Sequence, residues 1–280
     1  MTRKLFFGLF VFPLLITVGM ALLLCTVVFL THEEETPETL ITSIKSGSPS
    51  KRWQKAFELS NELNSKPEMI RGVGVMNEII HILSDPARYD AKTRSYMAMA
   101  LTKFKEPAAV EALRKRLKNE EPDVQIYLLW ALGVLEARES IREVEVFLTH
   151  ENQDLRKMAA YVSGVLGDKK TISKLTPLLN DPVIDISWNS ALSLARLGDA
   201  SGEKILVKML DRDALALNDQ MPEDRIEKVM MNAIKGLARL KHSDSLGLFE
   251  SLARNDESLQ VRQAALEAIK YIERQEMPHA

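Results

Sequence analysis

Cysteine is almost absent from this 280-residue chain, and neither sign of charge dominates. The one cysteine, Cys25, lies inside an apolar run near the N-terminus, so the rest of the chain can form no intramolecular disulfide. The 37 Lys and Arg residues stand against 39 Asp and Glu residues, which gives a net charge of -2. This balance provides no field that would gather nucleic acid or an anionic surface.

Motifs that carry catalysis are also missing. There is no G-x-S-x-G, and the RGVGV stretch that begins at Arg71 is not a phosphate-binding loop. The neighbouring carboxylates Glu120 and Glu121 fall at a predicted turn, where solvation is expected. His81, His242 and His279 lack the spacing of metal ligands. The sequence therefore predicts no catalytic residue, no metal site and no cofactor.

The longest apolar run is at the front of the chain. Residues 5–30 contain no charged side chain, and this stretch exceeds the roughly 20 residues that cross a bilayer as a helix. Arg3 and Lys4 precede the run, whereas Glu33, Glu34 and Glu35 follow it. The positive-inside rule then predicts a cytoplasmic tail at 1–4, a transmembrane helix at 5–30 and a periplasmic or other extracytoplasmic remainder. A cleaved signal peptide and a lipoprotein site at Cys25 are the alternatives.

The rest of the chain shows helical periodicity and no strand pattern. A polar, acidic linker is predicted at 31–50, and apolar residues then recur at helical spacing over 51–280. The segments are short and end at turn-forming residues, which indicates helical hairpins in series. The ends of four successive segments are 31 residues apart: Phe104, Leu135, Leu166 and Leu197. Equal intervals of this kind indicate an internal repeat.

Other positions repeat with the same spacing. Asp123, Asp154 and Asp185 each precede an aliphatic residue, and we expect them to be helix N-caps. Small residues share a second slot at Gly133, Gly164 and Ala195. Stacked hairpins require such residues where helix backbones approach closely.

The stretches LRKMAAYVSGVLG and VRQAALEAI resemble the HEAT repeat, particularly the bacterial type related to phycobilin lyase HEAT-like repeats. The resemblance implies an all-α, right-handed solenoid of about six helical hairpins with an armadillo-like architecture. It also implies a docking surface on the concave face, lined by the second helix of each hairpin. In such arrays the slot of Arg156 and Arg262 usually contributes to a ladder of acid and base pairs, so a structural role is expected for both.

Some HEAT arrays are enzymes. Deoxyhypusine hydroxylases resemble this fold and hold two irons through repeated His-Glu pairs. This chain has such pairs only at His32-Glu33 and His150-Glu151, neither within a repeat helix, so the resemblance predicts no metal here.

Two repeats exceed 31 residues, and the one that ends at Leu240 is the longer. The interval from Leu197 to Leu240 is 43 residues, which is 12 more than 31, and the extra residues fall within 211–224. Insertions in solenoids map to loops that sometimes bind partners. The candidate partner-binding residues in this loop are Asp211, Arg212, Asp213, Asn218, Asp219, Glu223 and Asp224.

The sequence as a whole predicts a membrane-anchored, non-enzymatic scaffold that presents a docking surface to a protein partner. No nucleic acid and no small-molecule substrate are expected. Two alternatives stay open: a HEAT-like lyase or cofactor-handling enzyme accessory, and a subunit of a larger membrane complex.

Overall fold

The computed structural model describes residues 7–31, 36–65, 73–217, 221–240 and 245–276. All regular elements in these residues are helical. The predicted all-helical repeat fold is therefore confirmed.

The N-terminal apolar run differs from the prediction. The described part is not one uniform α-helix, because a π-helical segment, Phe7–Val11, precedes helix α1, Phe12–Thr31. Within the ranges that the structure describes, no helix combines the length and the apolar character needed to cross a bilayer. The prediction of a single-pass membrane protein with a transmembrane helix at 5–30 is therefore wrong, and the predicted tail at 1–4 lies outside the described residues. It rested on treating the uncharged run as one continuous helix.

The predicted linker contains a packed helix. Helix α2, Pro37–Ser46, begins with the hydroxyl oxygen of Thr36 accepting the N–H of Thr39, and proline occupies its first position, where no N–H is needed. Leu40, Ile41 and Ile44 of this helix are buried, and α2 packs against helix α3, Pro49–Ser65. The described residues from 36 onward thus belong to the helical array and not to a linker.

The array has two layers. The first consists of long helices that pack in series: α3, α5 (Ala91–Leu101), α7 (Pro122–Val134), α9 (Gln153–Leu166), α11 (Ile184–Arg196), α14 (Glu223–Leu240) and α16 (Leu259–Glu276). The second consists of α2, α4 (Val73–Leu83), α6 (Pro107–Leu117), α15 (Ser245–Asn255) and three segments at 138–149, 169–180 and 200–208. These segments combine 3₁₀ turns with short helices α8 (Ile141–Glu145), α10 (Ile172–Leu175) and α12 (Glu203–Lys208). Helix α13 (Arg212–Leu217) lies in the longer repeat.

The predicted N-caps are shifted by two residues. Asp123, Asp154 and Asp185 are each the second residue of their helix, in α7, α9 and α11. The cap of α9 is Asn152, whose side-chain oxygen accepts the N–H groups of Asp154 and Leu155 at 2.9 and 3.3 Å. The three aspartates instead place negative charge in the first turn, where it is favourable to the helix dipole.

The ends of the first-layer helices also repeat. Glu136, Gly167 and Gly198 follow α7, α9 and α11 at intervals of 31 residues, and all three have positive φ, at 49°, 78° and 79°. Glycine adopts this left-handed conformation without a steric penalty. Glu136 does so at a cost, because its Cβ is crowded by the following carbonyl group.

The hydrophobic core is divided near α11. One cluster of buried side chains extends from Leu40 of α2 to Leu197. A second cluster extends from Trp188 of α11 to Ile272 of α16. The two clusters meet at α11, which contributes residues to both.

Candidate functional site: the exposed faces of the array

The slot of small residues marks close helix packing. A Cβ atom added at Gly164 would lie 2.7 Å from the Cα of Ser193, so α9 and α11 nearly touch there. Ser193 adds a buried hydrogen bond of 2.8 Å from its hydroxyl to the carbonyl oxygen of Ala160. At Gly133 the nearest atom to such a Cβ is a methyl carbon of Val162 at 3.1 Å. Ala195 is buried.

Arg156 joins neighbouring hairpins. Its Nε donates to Asp181 at 3.0 Å, and its Nη1 donates to the carbonyl oxygens of His150 and Glu151 at 2.7 and 2.9 Å. Arg262, in the equivalent slot of α16, donates from Nη1 to the carbonyl oxygen of Asp256 at 3.3 Å. Both arginines therefore bind the turn that precedes their own helix, and Arg156 also reaches the next turn.

The most deeply buried member of this slot is Arg94, 62 residues before Arg156. Its side chain is 2% exposed and pairs with Glu120, whose side chain is 1% exposed. It also contacts Glu121 at 3.1 Å, and its Nε donates to the carbonyl oxygen of Tyr89 at 3.0 Å. The expectation of solvated carboxylates at this turn is thus wrong for Glu120. The separation of Arg94 and Arg156 by 62 residues, which is twice the 31-residue period, was the signal that pointed to this role.

The candidate partner-binding loop is largely occupied by contacts within the chain. Arg212 pairs with Glu223, with Asp256 at 2.6 Å and with Glu257 at 3.4 Å. Burial lowers the pKa of the Arg212 guanidinium, but the hydrogen bonds to Asp256 and Glu223 outweigh it and leave the pKa raised.

The other residues of this loop are spread over several positions. Asp211 accepts the N–H of Ala214 at 3.0 Å, and Asp213 lies in the first turn of α13. Asp224 of α14 pairs with Lys228 at 3.0 Å, whereas Asn218 and Asp219 lie outside the described residues. Among the described residues of the loop, the structure brings Arg212 and Glu223 together, and their ion pair joins helix α13 to helix α14.

The second layer, which the sequence favoured as the docking surface, carries charges that pair across hairpins. Arg114 of α6 contacts Glu143 of α8 at 2.6 Å, and Lys174 of α10 contacts Glu145 at 2.5 Å. Burial raises the pKa of the Glu143 carboxyl, but the hydrogen bond from Arg114 outweighs it, so the pKa lies below its ordinary value. Because these charges are already paired within the chain, they are less available for binding a partner.

The exposed side of the first layer carries a row of aromatic residues that sequence reasoning missed. Four of the five tyrosines are partly exposed on first-layer helices, and Phe57 of α3 packs edge to face on Tyr96 with ring centroids 5.4 Å apart. We call this row the outer aromatic face: Phe57, Tyr96, Tyr127, Tyr161 and Tyr271. Tyr96 and Tyr127 are 31 residues apart, so the repeat period in the sequence places them at equivalent positions.

Two of the depressions on this exposed side include tyrosines of the outer aromatic face in their lining. One, of about 460 Å³, lies between α5 and α7 and is lined by residues that include Lys92, Tyr96, Ile126 and Tyr127. The other, of about 560 Å³, lies between α11, α14 and α16. We call the second depression the C-terminal groove, and its lining includes Arg196, Lys235, Arg239 and Tyr271.

Within the described part of the chain, no group of three or more His, Cys, Asp or Glu side chains is arranged to hold a metal ion. His150 is engaged locally, because its Nδ1 accepts the N–H of Asn152 at 3.0 Å.

Comparison with known proteins supports the repeat class. Residues 142–221 match the model of HEAT repeats. The complex of CpcE and CpcF of phycocyanin lyase from Nostoc sp. PCC7120 has a similar fold, with a TM-score of 0.61 and 19% identity over 89% of this chain and 91% of that chain. The Escherichia coli protein YibA gives a TM-score of 0.52 and 15% identity over 83% of this chain and 92% of that chain.

Human deoxyhypusine hydroxylase in complex with glycerol is a weaker match, with a TM-score of 0.35 and 14% identity over 85% of this chain and 96% of that chain. No curated protein matches the chain. The similarities support a HEAT-repeat protein, and at these identities the structural ones show the fold alone.

Proposed function

We propose that this HEAT-repeat protein is a non-catalytic scaffold that binds a protein partner along the outer aromatic face. The observation that carries the proposal is the row of partly exposed aromatic side chains on the consecutive first-layer helices α3, α5, α7 and α9, together with Tyr271 on α16. Tyr127 and Tyr161 are each 37% exposed, and Tyr271 is 43% exposed. Tyrosine combines a large apolar ring with a polar tip, and it is enriched among the residues that dominate protein-binding energies.

The repeat architecture suits this role. Each first-layer helix contacts mainly its neighbours, so the array offers an extended surface with regularly spaced side chains. On the first layer several of these side chains are aromatic, whereas on the second layer Arg114 pairs with Glu143 and Lys174 pairs with Glu145. We therefore place the docking surface on the first layer and not on the second helices. The Nostoc protein of similar fold is found in a complex with a second protein, which agrees with a binding role.

The proposal can be tested in cells with the full chain. A photo-crosslinking amino acid is placed at Tyr127 or at Tyr161, and at Val146 or Val207 as controls, because these valines are 64% and 43% exposed on the second layer. We expect one protein to be crosslinked from both tyrosine positions and from neither valine position.

The affinity of the purified partner then decides the matter. Tyr127→Ala and Tyr161→Ala should each weaken binding about tenfold or more, which is the effect expected of a central aromatic contact. Val146→Ala and Val207→Ala should change it less than about twofold. The opposite ranking would return the docking surface to the second layer.

The alternatives are tested on the full chain purified from its own cells. A pigment or metal bound in stoichiometric amount, without a protein partner, would indicate the lyase or cofactor-handling class. Constant co-purification with several proteins at fixed ratio would indicate a subunit of a larger complex.

A further inference from the structure

The C-terminal groove has an apolar floor and a cationic rim. Its floor is made of small side chains on three first-layer helices: Ala195, Ala238, Ala264 and Ala268. Ile234 and Tyr271 form apolar walls, and Arg196, Lys235 and Arg239 supply positive charge. Lys235 and Arg239 are four residues apart on α14, so they lie on the same side of that helix.

The three cations differ in their partners from several arginines that join elements of the fold. Arg94, Arg156 and Arg212 each pair with carboxylates. Among the described residues, by contrast, no acidic side chain forms an ion pair with Arg196, Lys235 or Arg239. The guanidinium of Arg196 instead lies over the ring of Tyr161, 5.0 Å from its centroid.

The two guanidiniums of the groove, those of Arg196 and Arg239, repel each other electrostatically. Burial lowers the pKa of Arg196, the nearby Tyr161 raises it, and the charge of Arg239 lowers it again. The net pKa of Arg196 lies below its ordinary value, as expected for two like charges facing one partly desolvated space. An anion between them would relieve this repulsion.

The lining contains one acid, Glu267, and it is engaged. Its Oε1 accepts a hydrogen bond of 3.1 Å from Gln263 on the same helix. One carboxylate against three cations leaves the groove positive, although the chain as a whole has a net charge of -2. The groove is thus a local departure from the balanced charge of the molecule.

Position and shape favour a peptide as the occupant. The groove opens on the same side of the array as the outer aromatic face, and it shares Tyr271 with that face. Arg196 is also in contact with Tyr161 of the face. A chain that binds along the aromatic residues would therefore continue into the groove.

We infer that the C-terminal groove binds an acidic segment of the protein partner, with carboxylates at Arg196 and Arg239 and an apolar side chain on the alanine floor. This inference rests on the proposed function and adds the chemistry of the partner. Arginine suits carboxylate binding because its planar donors can make two parallel hydrogen bonds to one carboxylate.

The test uses the full-length protein and a fluorescein-labelled ten-residue peptide in which Glu alternates with Leu and Tyr. Binding is followed by fluorescence anisotropy. We expect saturable binding that weakens at least tenfold in the double variant Arg196→Gln, Arg239→Gln, because hydrogen bonds between charged groups contribute on this scale. The matched control is Arg138→Gln, Arg142→Gln, which removes two exposed arginines of the second layer and should change affinity less than about twofold.

Several results would overturn the inference: no saturable binding to the wild-type chain, equal losses in the two double variants, or equally effective competition by inorganic polyphosphate, which would indicate a general anion site. Unchanged melting temperatures establish that the variants fold. Failure here is separable from failure of the proposed function. If Tyr127→Ala weakens partner binding while the arginine variant does not, the docking face stands and the acidic segment is excluded.

Discussion

At the scale of single residues, Gly164 decides how closely two repeats approach. A methyl group at this position would collide with the backbone of Ser193, so Gly164→Ala should lower the free energy of unfolding by about 2–3 kcal/mol, as overpacking does. Gly133→Ala is the matched control, because the side chain of Val162 can move and alanine favours the helix. Its cost should stay below about 1 kcal/mol in urea denaturation. Equal losses would show that the two helix contacts are equally tight.

Substitution of Arg156 tests whether the arginines at this repeat position contribute to stability or to partner binding. Arg156→Met leaves Asp181, whose side chain is 7% exposed, without its cation. We expect a loss of roughly 2–3 kcal/mol, less than for a fully buried pair because Arg156 retains some exposure. The melting temperature should fall, and the affinity for the protein partner should change less than about twofold. A variant with normal stability and lost binding would overturn the structural role.

Glu136 occupies a position where the equivalent residues are glycines. Glu136→Gly should raise the free energy of unfolding by about 0.5–1 kcal/mol, because the left-handed conformation is strained for a residue with a Cβ atom. The reverse change, Gly198→Ala, should lower it by a similar amount, since no neighbouring atom lies within 4 Å and only the backbone conformation is affected. A stability loss in Glu136→Gly, seen by thermal melting, would mean that the glutamate side chain makes a contact worth more than the strain.

Residue patterns in the sequence were sufficient for the repeat and for its small-residue slot. The 31-residue period and the glycine at 164 predicted stacked hairpins with close backbones, and the packing of α9 on α11 agrees. The caps were misplaced because an aspartate in the first turn and one at the cap give the same local pattern, as at Asp154 and Asn152. The outer aromatic face was missed because a tyrosine at apolar phase, such as Tyr161, looks like a core residue until its exposure is known.

At the scale of elements, the contact between α6 and α8 depends on pH. The pKa of Glu143 is depressed from its ordinary value of 4.5, so its pair with Arg114 stabilises the fold above that pH and is lost as pH falls through the lower folded value. Glu143→Gln should therefore cost about 0.5–1 kcal/mol at neutral pH, in keeping with a partly exposed pair. The difference from wild type should disappear in acid.

Glu111→Gln is the control for this contact. Glu111 also contacts Arg114, at 3.4 Å, but its side chain is 50% exposed and it lies on the same helix as Arg114. Denaturation across pH 3–7 should show little change at any pH for this variant, on the general expectation for exposed pairs. A pH dependence equal to that of Glu143→Gln would mean that the pair does not join the two elements.

At the scale of the whole molecule, repeat arrays differ from compact domains because each unit contacts mainly its neighbours. Stability is then close to a sum of units and the contacts between them, and parts of the array can open separately. Because the core is divided near α11, local unfolding that begins on one side of α11 is expected to stop there. It also separates most of the outer aromatic face, on α3 to α9, from the C-terminal groove on α11, α14 and α16.

Phe249 allows this division to be measured. Its side chain is fully buried in the second cluster, and Phe249→Ala should cost about 3–5 kcal/mol locally. We expect hydrogen exchange to accelerate in α14, α15 and α16 while α5, α7 and α9 keep their protection. Leu113→Ala, at an equally buried position of α6 in the first cluster, should give the opposite pattern. If either substitution accelerates exchange evenly along the chain, the array unfolds as one unit, and loosening of the C-terminal groove could not occur without loss of the aromatic face.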